Sequence, residues 1–229
     1  MLRPGGFAMT DRGLSACGFA PGDKVLEIGC GEGETLEHME KVYGLDLTAV
    51  DIDLSMVSKA KERGLAAEIR YGDGEFLEGF LSNTFDGVVM ECVLSLIHKP
   101  QEALHEVWCV LKHGGRLFLS DLYHRDPSAR DMEALARRAA ADAVRPHEYG
   151  DCESDEDVRM VDFFYDGRFY LDPLKRYMRS LGYRILLEED RTKDLQEYAA
   201  EKAMDGEQLC GGFRRPGRTG YFLMAAEKE

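Results

Sequence analysis

The sequence predicts an α/β fold in which a mostly parallel sheet is doubly wound, with helices on both faces. Two observations support this prediction. Short aliphatic segments alternate with amphipathic helical segments through residues 24–123, which is typical of parallel strands connected by helices. The first aliphatic segment also runs into a glycine-rich loop at residues 29–33, and such loops follow the first strand of doubly wound sheets.

Five strands are expected in the first half of the chain. They are KVLEI (24–28), LTAVDI (47–52), AEIRY (67–71), FDGVVME (85–91) and GRLFLSDLY (115–123). The helix after the second strand is expected to be capped by Asp53 and to end at Gly64. The helix before the fifth strand places Ala103, Val107 and Val110 on one face.

The alternation breaks near residue 124. The segments that follow are a charged helix (126–144), an acidic aromatic stretch (150–167), a helix and strand (171–190), a polar helix and loop (191–217) and a final strand (220–228). A helix is also expected near residues 9–16, with Thr10 as a candidate cap. It would cover the ligand crevice, and a plain packing helix is the alternative.

Composition narrows the function. The chain has 229 residues, of which 44% are hydrophobic, so it can bury a core. Its net charge of −14 would repel nucleic acid. No apolar stretch has the length of a signal peptide or a membrane span, and the six cysteines lack metal-ligand spacing. We therefore expect a cytoplasmic protein without a metal, membrane or nucleic-acid partner.

The glycine loop has the wrong spacing for a phosphate group. Its glycines are Gly29, Gly31 and Gly33, and Glu34 stands where the dinucleotide fingerprint has its third glycine. A glutamate at the start of a helix would repel phosphate oxygens. Asp51 ends the second strand, where a carboxylate can accept hydrogen bonds from ribose hydroxyls. A cationic ligand with a ribose and no phosphate fits these observations.

Four ordered segments resemble the motifs of the class I S-adenosylmethionine-dependent methyltransferases. They are LEIGCGEG, AVDID, GDGE and FDGVVMECVLSLI, and HGGRLFLSDLY resembles the fifth strand of that family. The resemblance covers residues 20–125 and is nearest to small-molecule enzymes of the arsenite and quinone type. It implies S-adenosylmethionine as the cofactor, S-adenosylhomocysteine as its product, and a Rossmann-like sheet of seven strands with the last strand antiparallel.

The resemblance also implies which residues bind the cofactor. The loop and Glu27 would border the methionine part of the cofactor, and Asp51 would bind its ribose. Residues at the ends of the next strands would contact the adenine and the methyl group. The cofactor-binding residues expected in this way are Glu27, Gly29, Cys30, Gly31, Gly33, Asp51, Ile52, Asp73, Gly74, Glu91 and Cys92. Glu27 has the alternative role of a helix cap or a lysine partner, and Cys30 that of a small loop residue.

Transfer of a methyl group from a sulfonium mainly requires an aligned nucleophile at about 3 Å and the exclusion of water. A base is needed where the acceptor carries a proton. The candidates for this catalytic role lie beyond strands four and five: His98, Asp121, Tyr123 and His124. For His98 a structural position before a proline is an equal alternative, and for Asp121 the alternative is a helix cap.

A small-molecule acceptor is expected, with a protein side chain as the less favoured alternative. The motif that holds base or amide nitrogens and the Pro-Cys pair of cytosine-modifying enzymes are both missing after the fourth strand, where the chain reads ECVL. The net negative charge favours a neutral or cationic acceptor, unless Arg12 or Arg130 reaches the pocket. Five aromatic residues of the later segment are expected to form a lid or its core: Tyr149, Phe163, Phe164, Tyr165 and Phe169.

The chain is therefore expected to be a single methyltransferase domain over residues 1–229. Its expected parts are a cover helix (1–22), a cofactor-binding half (23–124), a helical lid or substrate segment (125–170) and a C-terminal helix with strands (171–229). A homodimer is one option for its assembly.

Two alternative functions stay open. One is a cofactor-binding protein of this fold without turnover. The other is a thiol-dependent methyltransferase of a metalloid such as arsenite, in which Cys152 would approach Cys17, Cys92 or Cys210.

Overall fold

The computed structural model describes residues 3–142, 163–206 and 217–229. The helices are α1 (Gly6–Cys17), α2 (Glu34–His38), α3 (Leu54–Glu62), α4 (Pro100–Val110), α5 (Ala129–Asp142), α6 (Leu171–Ser180) and α7 (Thr192–Met204). A π-helical turn (Met39–Tyr43) follows α2, and a 3₁₀ turn (Leu94–Leu96) precedes α4. The strands are β1 (Lys24–Ile28), β2 (Asp46–Asp51), β3 (Glu68–Tyr71), β4 (Phe85–Glu91), β5 (Leu111–His124), β6 (Phe164–Tyr165), β7 (Arg168–Phe169), β8 (Tyr183–Asp190) and β9 (Thr219–Lys228).

The sheet has the predicted winding. Strands β3, β2, β1, β4 and β5 lie side by side in that order and are parallel. Strand β9 pairs with β5 in the antiparallel direction, and β8 pairs with β9. The prediction of a mostly parallel, seven-stranded sheet with an antiparallel last strand is confirmed, because these are the seven long strands.

A short hairpin, β6–β7, extends the sheet and was not predicted. Its turn residues, Asp166 and Gly167, have φ values of +51° and +70°. Asp-Gly is the sequence preferred where both central residues of a two-residue turn need positive φ, so the sequence did contain the signal for this hairpin. The hairpin joins the sheet where Phe169 pairs with Tyr123 of β5. It therefore lies at the carboxyl end of that strand.

Buried side chains cover both faces of the sheet. Val25 and Leu26 are neighbours on β1 that point to opposite faces, and both are fully buried. Strands buried on both faces are typical of doubly wound folds. The predicted cap of α3 is also confirmed, since the Asp53 side chain accepts a hydrogen bond from the Ser55 N–H at 2.7 Å.

Helix α1 begins earlier than predicted. Its N-cap is Gly5, with φ +72°, so the prediction of Thr10 as a cap was wrong. Thr10 lies inside the helix and is fully buried. Gly13 of α1 lies against the Phe118 ring, where an added Cβ would be 2.3 Å from a ring carbon. Helix α1 therefore packs directly on the sheet. Its Thr10 hydroxyl donates a hydrogen bond to Glu91 at the end of β4.

The aromatic residues between α5 and α6 belong mostly to the core. Phe163, Phe164 and Phe169 are buried and contact one another, whereas Tyr165 is 40% exposed. Tyr149 lies outside the described residues. Among the described residues, none of the helices combines the length and the apolar character needed to cross a bilayer.

Candidate functional site

The glycine loop forms one wall of a crevice at the carboxyl ends of β1 and β4. Gly29, Gly31 and Gly33 have φ values of +76°, +54° and +79°, a region that side chains rarely adopt. A Cβ at Gly29 would lie 2.5 Å from Val93, whereas a Cβ at Gly31 would meet open space. Gly29 is therefore required for packing, and Gly31 leaves room beside the loop.

Asp51 fixes this loop through its carboxylate. One oxygen accepts a hydrogen bond from the Gly31 N–H at 2.8 Å, and the other accepts one from the Asp53 N–H at 2.9 Å. Each carboxylate oxygen can accept a further hydrogen bond. The carboxylate is half-buried at the end of β2, so it both holds the loop and offers acceptor positions to a ligand.

A cavity of about 200 Å³ opens beside the loop. Its lining comes from the N-terminal segment, β1, the glycine loop, α2 and the end of β4: Arg3, Glu27, Gly29, Cys30, Gly31, Glu32, Glu34, Thr35, Glu91 and Cys92. Four of these residues are carboxylic acids and one is an arginine. The lining therefore favours a ligand with positive charge.

Glu27 is buried in this cavity with an incomplete set of hydrogen bonds. It is only 4% exposed, and its Oε2 has no hydrogen-bond partner. Burial raises the pKa of Glu27 well above its usual range, and the nearby Glu91 charge raises it further, while Arg3 opposes both. An ionised carboxylate in this position requires a cationic partner.

Glu91 has the partners that Glu27 lacks. Its carboxylate lies 2.9 Å from Nη2 of Arg3, and the Thr10 hydroxyl donates to it at 3.1 Å. Burial nevertheless raises the pKa of Glu91, although Arg3 and the hydroxyl hydrogen bonds lower it. Sequence analysis did not assign Arg3 to the site and named Thr10 only as a helix cap, because no local motif surrounds either residue.

The expected adenine side lies at the ends of β2 and β3. Asp73 accepts a hydrogen bond from the Glu75 N–H at 2.9 Å, which orders the turn after β3. A Cβ at Gly74 would come within 2.8 Å of Ile28, so this position requires glycine. Ile52 is 61% exposed and offers an apolar surface beside the crevice.

Asp121 is fully buried at the carboxyl end of β5. Its two oxygens accept hydrogen bonds from the N–H groups of Ser95, at 2.8 Å, and of Leu122, at 2.7 Å. Burial raises the pKa of Asp121 to about 6, even though these hydrogen bonds favour the ionised form. The carboxyl group therefore exchanges its proton close to neutral pH, which a general base requires.

The neighbouring candidates on β5 bind to protein groups. Tyr123 hydrogen-bonds to Asp190 and Thr192, and burial raises the pKa of its phenol. The His124 ring stacks on Tyr170 at 4.3 Å, and its Nε2 lies 3.0 Å from the Tyr165 carbonyl oxygen. Burial lowers the pKa of His124, so its neutral form is favoured.

His98 does not belong to β5. It is half-buried in the loop between the 3₁₀ turn and α4. The adjacent Lys99 N–H donates to Glu75 at 2.7 Å, which ties this loop to the turn after β3.

Cys92 lines the cavity in a strained backbone conformation, with φ +57°. Its sulfur lies 2.8 Å from the Tyr221 hydroxyl, which in turn lies 3.0 Å from the Ser120 hydroxyl. Burial raises the pKa of the Cys92 thiol to about 12. Cys92 is therefore an uncharged thiol at neutral pH.

Comparison with known proteins agrees with this geometry. Residues 26–119 match the protein family described as "Methyltransferase domain". A demethylmenaquinone methyltransferase of Renibacterium salmoninarum is 33% identical over 111 residues, which cover 48% of this chain and 46% of the relative. The matched part thus spans about half the length of that relative. Residues 26–119 are therefore similar to methyltransferase domains.

Two further comparisons extend the likeness over nearly the whole chain. Phosphoethanolamine N-methyltransferase 1 of Arabidopsis thaliana is 24% identical over 217 residues, which cover 92% of this chain and 42% of the relative. The crystal structure of Haemonchus contortus phosphoethanolamine N-methyltransferase 2 with S-adenosyl-L-methionine has a TM-score of 0.71 and 17% identity, and covers 100% of this chain and 54% of that one. At this identity, the structural likeness establishes the fold.

The described residues offer limited cysteine and metal chemistry. Cys17, Cys30, Cys92 and Cys109 are free, while Cys152 and Cys210 lie outside the described residues. Burial raises the pKa of Cys17 and of Cys30 to about 12. Across residues 3–142, 163–206 and 217–229, no three His, Cys, Asp or Glu side chains are grouped to hold a metal ion.

Proposed function

We propose that this chain is an S-adenosylmethionine-dependent methyltransferase that acts on a small-molecule acceptor by direct in-line transfer. The observation that carries the proposal is the acidic cavity beside the glycine loop, in which the buried Glu27 carboxylate has an oxygen without a partner. A ligand with an ammonium group and a sulfonium supplies the positive charge that this cavity lacks.

The residues of the crevice fit the parts of this cofactor. The free lone pairs of Asp51 can accept the ribose hydroxyls, because each oxygen so far accepts one backbone N–H. Gly31 leaves open space for the ribose and methionine chain. We expect Asp73 to contact the adenine by a polar interaction and Ile52 to contact it by an apolar one. When bound, the cofactor supplies an activated methyl group on its sulfonium.

The chain itself positions the acceptor and removes its proton. Asp121 is our candidate base, because it is buried at the end of β5 and burial raises its pKa to about 6. A base with a pKa close to the working pH combines a usable ionised fraction with enough basicity. Cys92 and Glu91, at the end of β4, line the cofactor cavity.

Arg168 supports a narrower assignment of the acceptor. Its side chain is 3% exposed, Nη1 donates to Thr219 at 3.0 Å, Nη2 pairs with Asp166, and Nε has no partner. It lies on β7, next to the strand end that carries Asp121. An incompletely paired buried guanidinium favours an anionic group. We therefore expect an amine that carries such a group, and a relative aligned over 92% of this chain is named a phosphoethanolamine N-methyltransferase.

The thiol-dependent alternative receives less support. Cys17 and Cys92 are both thiols at neutral pH, because burial raises the pKa of each to about 12. A metalloid ligand has to be a thiolate. We expect Cys92→Ser to retain most of the turnover, and loss of turnover in this variant, with cofactor affinity intact, would favour thiol chemistry.

Cofactor binding is tested by isothermal titration calorimetry. S-adenosylmethionine and S-adenosylhomocysteine should bind, and NAD and ATP should not bind appreciably. Asp51→Ala should weaken binding by roughly 1.5–3 kcal/mol, the scale of hydrogen bonds to a charged group. Asp53→Ala is the matched control, since Asp53 caps α3, and its affinity should stay unchanged. Equal affinity in Asp51→Ala and in the wild type would remove the ribose assignment.

Turnover is tested by transfer of a tritium-labelled methyl group to phosphoethanolamine and to ethanolamine. We expect transfer to phosphoethanolamine, and Arg168→Met should raise its KM, while Arg125→Met, on the more exposed neighbouring arginine, should not. Cofactor binding without transfer to these acceptors or to a broad metabolite mixture would favour the alternative of a binding protein without turnover.

A further inference from the structure

Cys92 has an unusual backbone conformation for its residue type. Among the described residues other than glycine, four have positive φ, and the three besides Cys92 are Asn or Asp. Those short polar residues tolerate the left-handed region, whereas other side chains are disfavoured there. With φ +57°, Cys92 is therefore strained. Such strain persists only where surrounding contacts hold it, and it is concentrated at functional sites.

Tyr221 supplies the contact that holds the Cys92 side chain. Its hydroxyl lies 2.8 Å from the Cys92 sulfur and 3.0 Å from the Ser120 hydroxyl. Tyr221 is 1% exposed on β9, so packing fixes its ring, and its buried hydroxyl needs these partners. The Cys92 N–H also donates to the Ser120 carbonyl oxygen at 2.8 Å. Both the side chain and the backbone of Cys92 are thus tied to the neighbouring strands β5 and β9.

Cys92 connects the cofactor cavity to Asp121. It lines that cavity at the end of β4, and the chain then enters the 3₁₀ turn at residues 94–96. Within this turn, the Ser95 N–H donates to the Asp121 carboxylate at 2.8 Å. Because only two residues separate Cys92 from Ser95, the backbone angles at Cys92 set the direction of that N–H. A relaxed φ at Cys92 would move the donor away from Asp121.

We infer that Tyr221 is a positioning residue for methyl transfer, because it holds Cys92 in the conformation that places the Ser95 N–H against Asp121. This role rests on the proposed function, in which Asp121 is the candidate base. The Cys92 sulfur and the Tyr221 hydroxyl do not exchange a proton or a methyl group with the acceptor. Both act through the path of the chain after β4.

Three substitutions of Cys92 separate this role from thiol chemistry and from side-chain size. Serine keeps a group that can bond to the Tyr221 hydroxyl. Glycine lacks such a group but adopts positive φ without strain. Alanine lacks the group and keeps the strain. We therefore expect Cys92→Ser and Cys92→Gly to retain most of the turnover, and Cys92→Ala to lose about tenfold, the scale of one strained residue.

Tyr221→Phe removes the hydroxyl and keeps the ring. It should lower the turnover number for phosphoethanolamine about tenfold in the wild-type background, and cause little further loss in the Cys92→Gly background. Tyr183→Phe is the matched control, because Tyr183 is 2% exposed and its hydroxyl donates to the Leu104 carbonyl oxygen of α4 at 3.1 Å. This control should lose stability in urea and keep its turnover. S-adenosylhomocysteine affinity, measured by calorimetry, should stay within twofold of the wild type in all variants.

A second measurement follows Cys92 without any turnover. The cofactor-free protein is treated with iodoacetamide, and the alkylation rate of each cysteine is measured by peptide mass spectrometry. Tyr221→Phe should raise the Cys92 rate about tenfold, since the thiol loses its partner and the strained residue relaxes. Tyr183→Phe should leave this rate unchanged. Cys17, which is 1% exposed, is the internal control for a general loosening of the fold.

Two results would overturn the inference. One is a Tyr221→Phe variant whose turnover and Cys92 alkylation both equal those of the wild type. The other is an equal loss of turnover in all three Cys92 variants, which would mean that the thiol itself is needed. A wild type that transfers no methyl group is a different result, because it would overturn the proposed function. The alkylation rates would then still decide whether Tyr221 holds Cys92.

Discussion

The two sides of the crevice differ in how their buried acids are paired. On the cofactor side, Glu27 is buried with an oxygen that has no partner. On the proposed acceptor side, Asp121 is equally buried, but both of its oxygens accept hydrogen bonds from backbone N–H groups. The cofactor side is therefore incomplete without a ligand, whereas the fold itself completes the acceptor side. Substitutions on the two sides should then have different effects on stability and on binding.

The largest effect is expected in the glycine loop, where two neighbouring glycines differ in their surroundings. Gly29→Ala should lower the free energy of unfolding by about 2–5 kcal/mol. The added Cβ would clash with Val93, and the alanine backbone would have to adopt a left-handed conformation. Gly31→Ala has the same backbone cost, about 1–2 kcal/mol, without the clash. The main effect of Gly31→Ala should be weaker cofactor binding, because the alanine side chain occupies the open space beside the loop.

Gly64→Ala is the control for this pair. Gly64 also has positive φ, at +66°, and an added Cβ would meet open space. It lies just after the C-terminal end of α3. Urea denaturation should give the same stability loss for Gly64→Ala as for Gly31→Ala, with unchanged cofactor affinity by calorimetry. Equal cofactor affinities in these two variants would contradict the placement of the ligand beside Gly31.

The second prediction concerns the pH dependence of Asp121. The pKa of this group in the folded protein is about 6, against its usual 3.8. The folded state therefore holds a proton that the unfolded state releases, so this contribution to stability is present below pH 4 and is lost as the pH rises through 6. At about 1.4 kcal/mol per pH unit, the loss amounts to about 3 kcal/mol.

Asp121→Asn removes this titration, and the comparison with wild type isolates it. The difference in unfolding free energy between the two proteins should shift by about 2–2.5 kcal/mol between pH 4 and pH 7, in the direction of a relatively weaker wild type. Denaturant titrations at several pH values measure this shift. If Asp121 is the base, the variant should also lose turnover. A turnover rate equal to that of the wild type would reject this role.

The third prediction compares the same chemical change on the two sides at pH 7. Glu27→Gln should raise the unfolding free energy by about 1–2 kcal/mol, because it removes the ionised fraction of a buried carboxyl group whose Oε2 has no partner. Its cofactor affinity should fall at least tenfold. Asp121→Asn should instead cost about 1–3 kcal/mol, since an amide NH₂ would face one of the two backbone N–H donors. If Glu27→Gln and Asp121→Asn changed the unfolding free energy in the same direction, the contrast between the two sides would be contradicted.

Glu27 should also make cofactor binding pH-dependent. Burial raises the pKa of this group in the free protein, and a bound cation would favour its ionised form. Binding should therefore release a proton, and affinity should increase with pH while Glu27 is still partly protonated. Calorimetry in two buffers of different ionisation enthalpy measures the released proton. In Glu27→Gln the release should diminish.

The smallest effect is expected for Arg12, which sequence analysis considered as a pocket residue. Arg12 bonds to Glu189 at 2.8 Å, and its side chain is 40% exposed, while Arg130 is exposed on α5. Arg12→Ala should change stability by less than about 1 kcal/mol, as is usual for exposed ion pairs. Its cofactor affinity should stay within twofold of the wild type. A tenfold loss would mean that the N-terminal helix contacts the cofactor in a way that the structure does not show.

Sequence analysis predicted the cofactor half well because its signals are local. The strand segments follow from runs of apolar residues, and the boundaries 24–28 and 85–91 match β1 and β4. The glycine loop and Asp51 lie within 25 residues of one another, and their separation follows from one strand–helix–strand unit. The surroundings of Asp121 and the β6–β7 hairpin were less predictable. Asp121 accepts a hydrogen bond from the distant Ser95 N–H, and the hairpin has only the short Asp-Gly turn as its local signal.

The sequence by itself determined the order of strands and helices, the position of the glycine loop and the carboxylate beside it, since each depends on short-range periodicity and turn preferences. The tertiary structure alone decided that Arg3 and Thr10 belong to the site. Thr10 and Glu91 are 81 positions apart, and their contact depends on how α1 docks on the sheet. Such docking depends on buried shape, as where Gly13 lies against Phe118, and no local pattern encodes it.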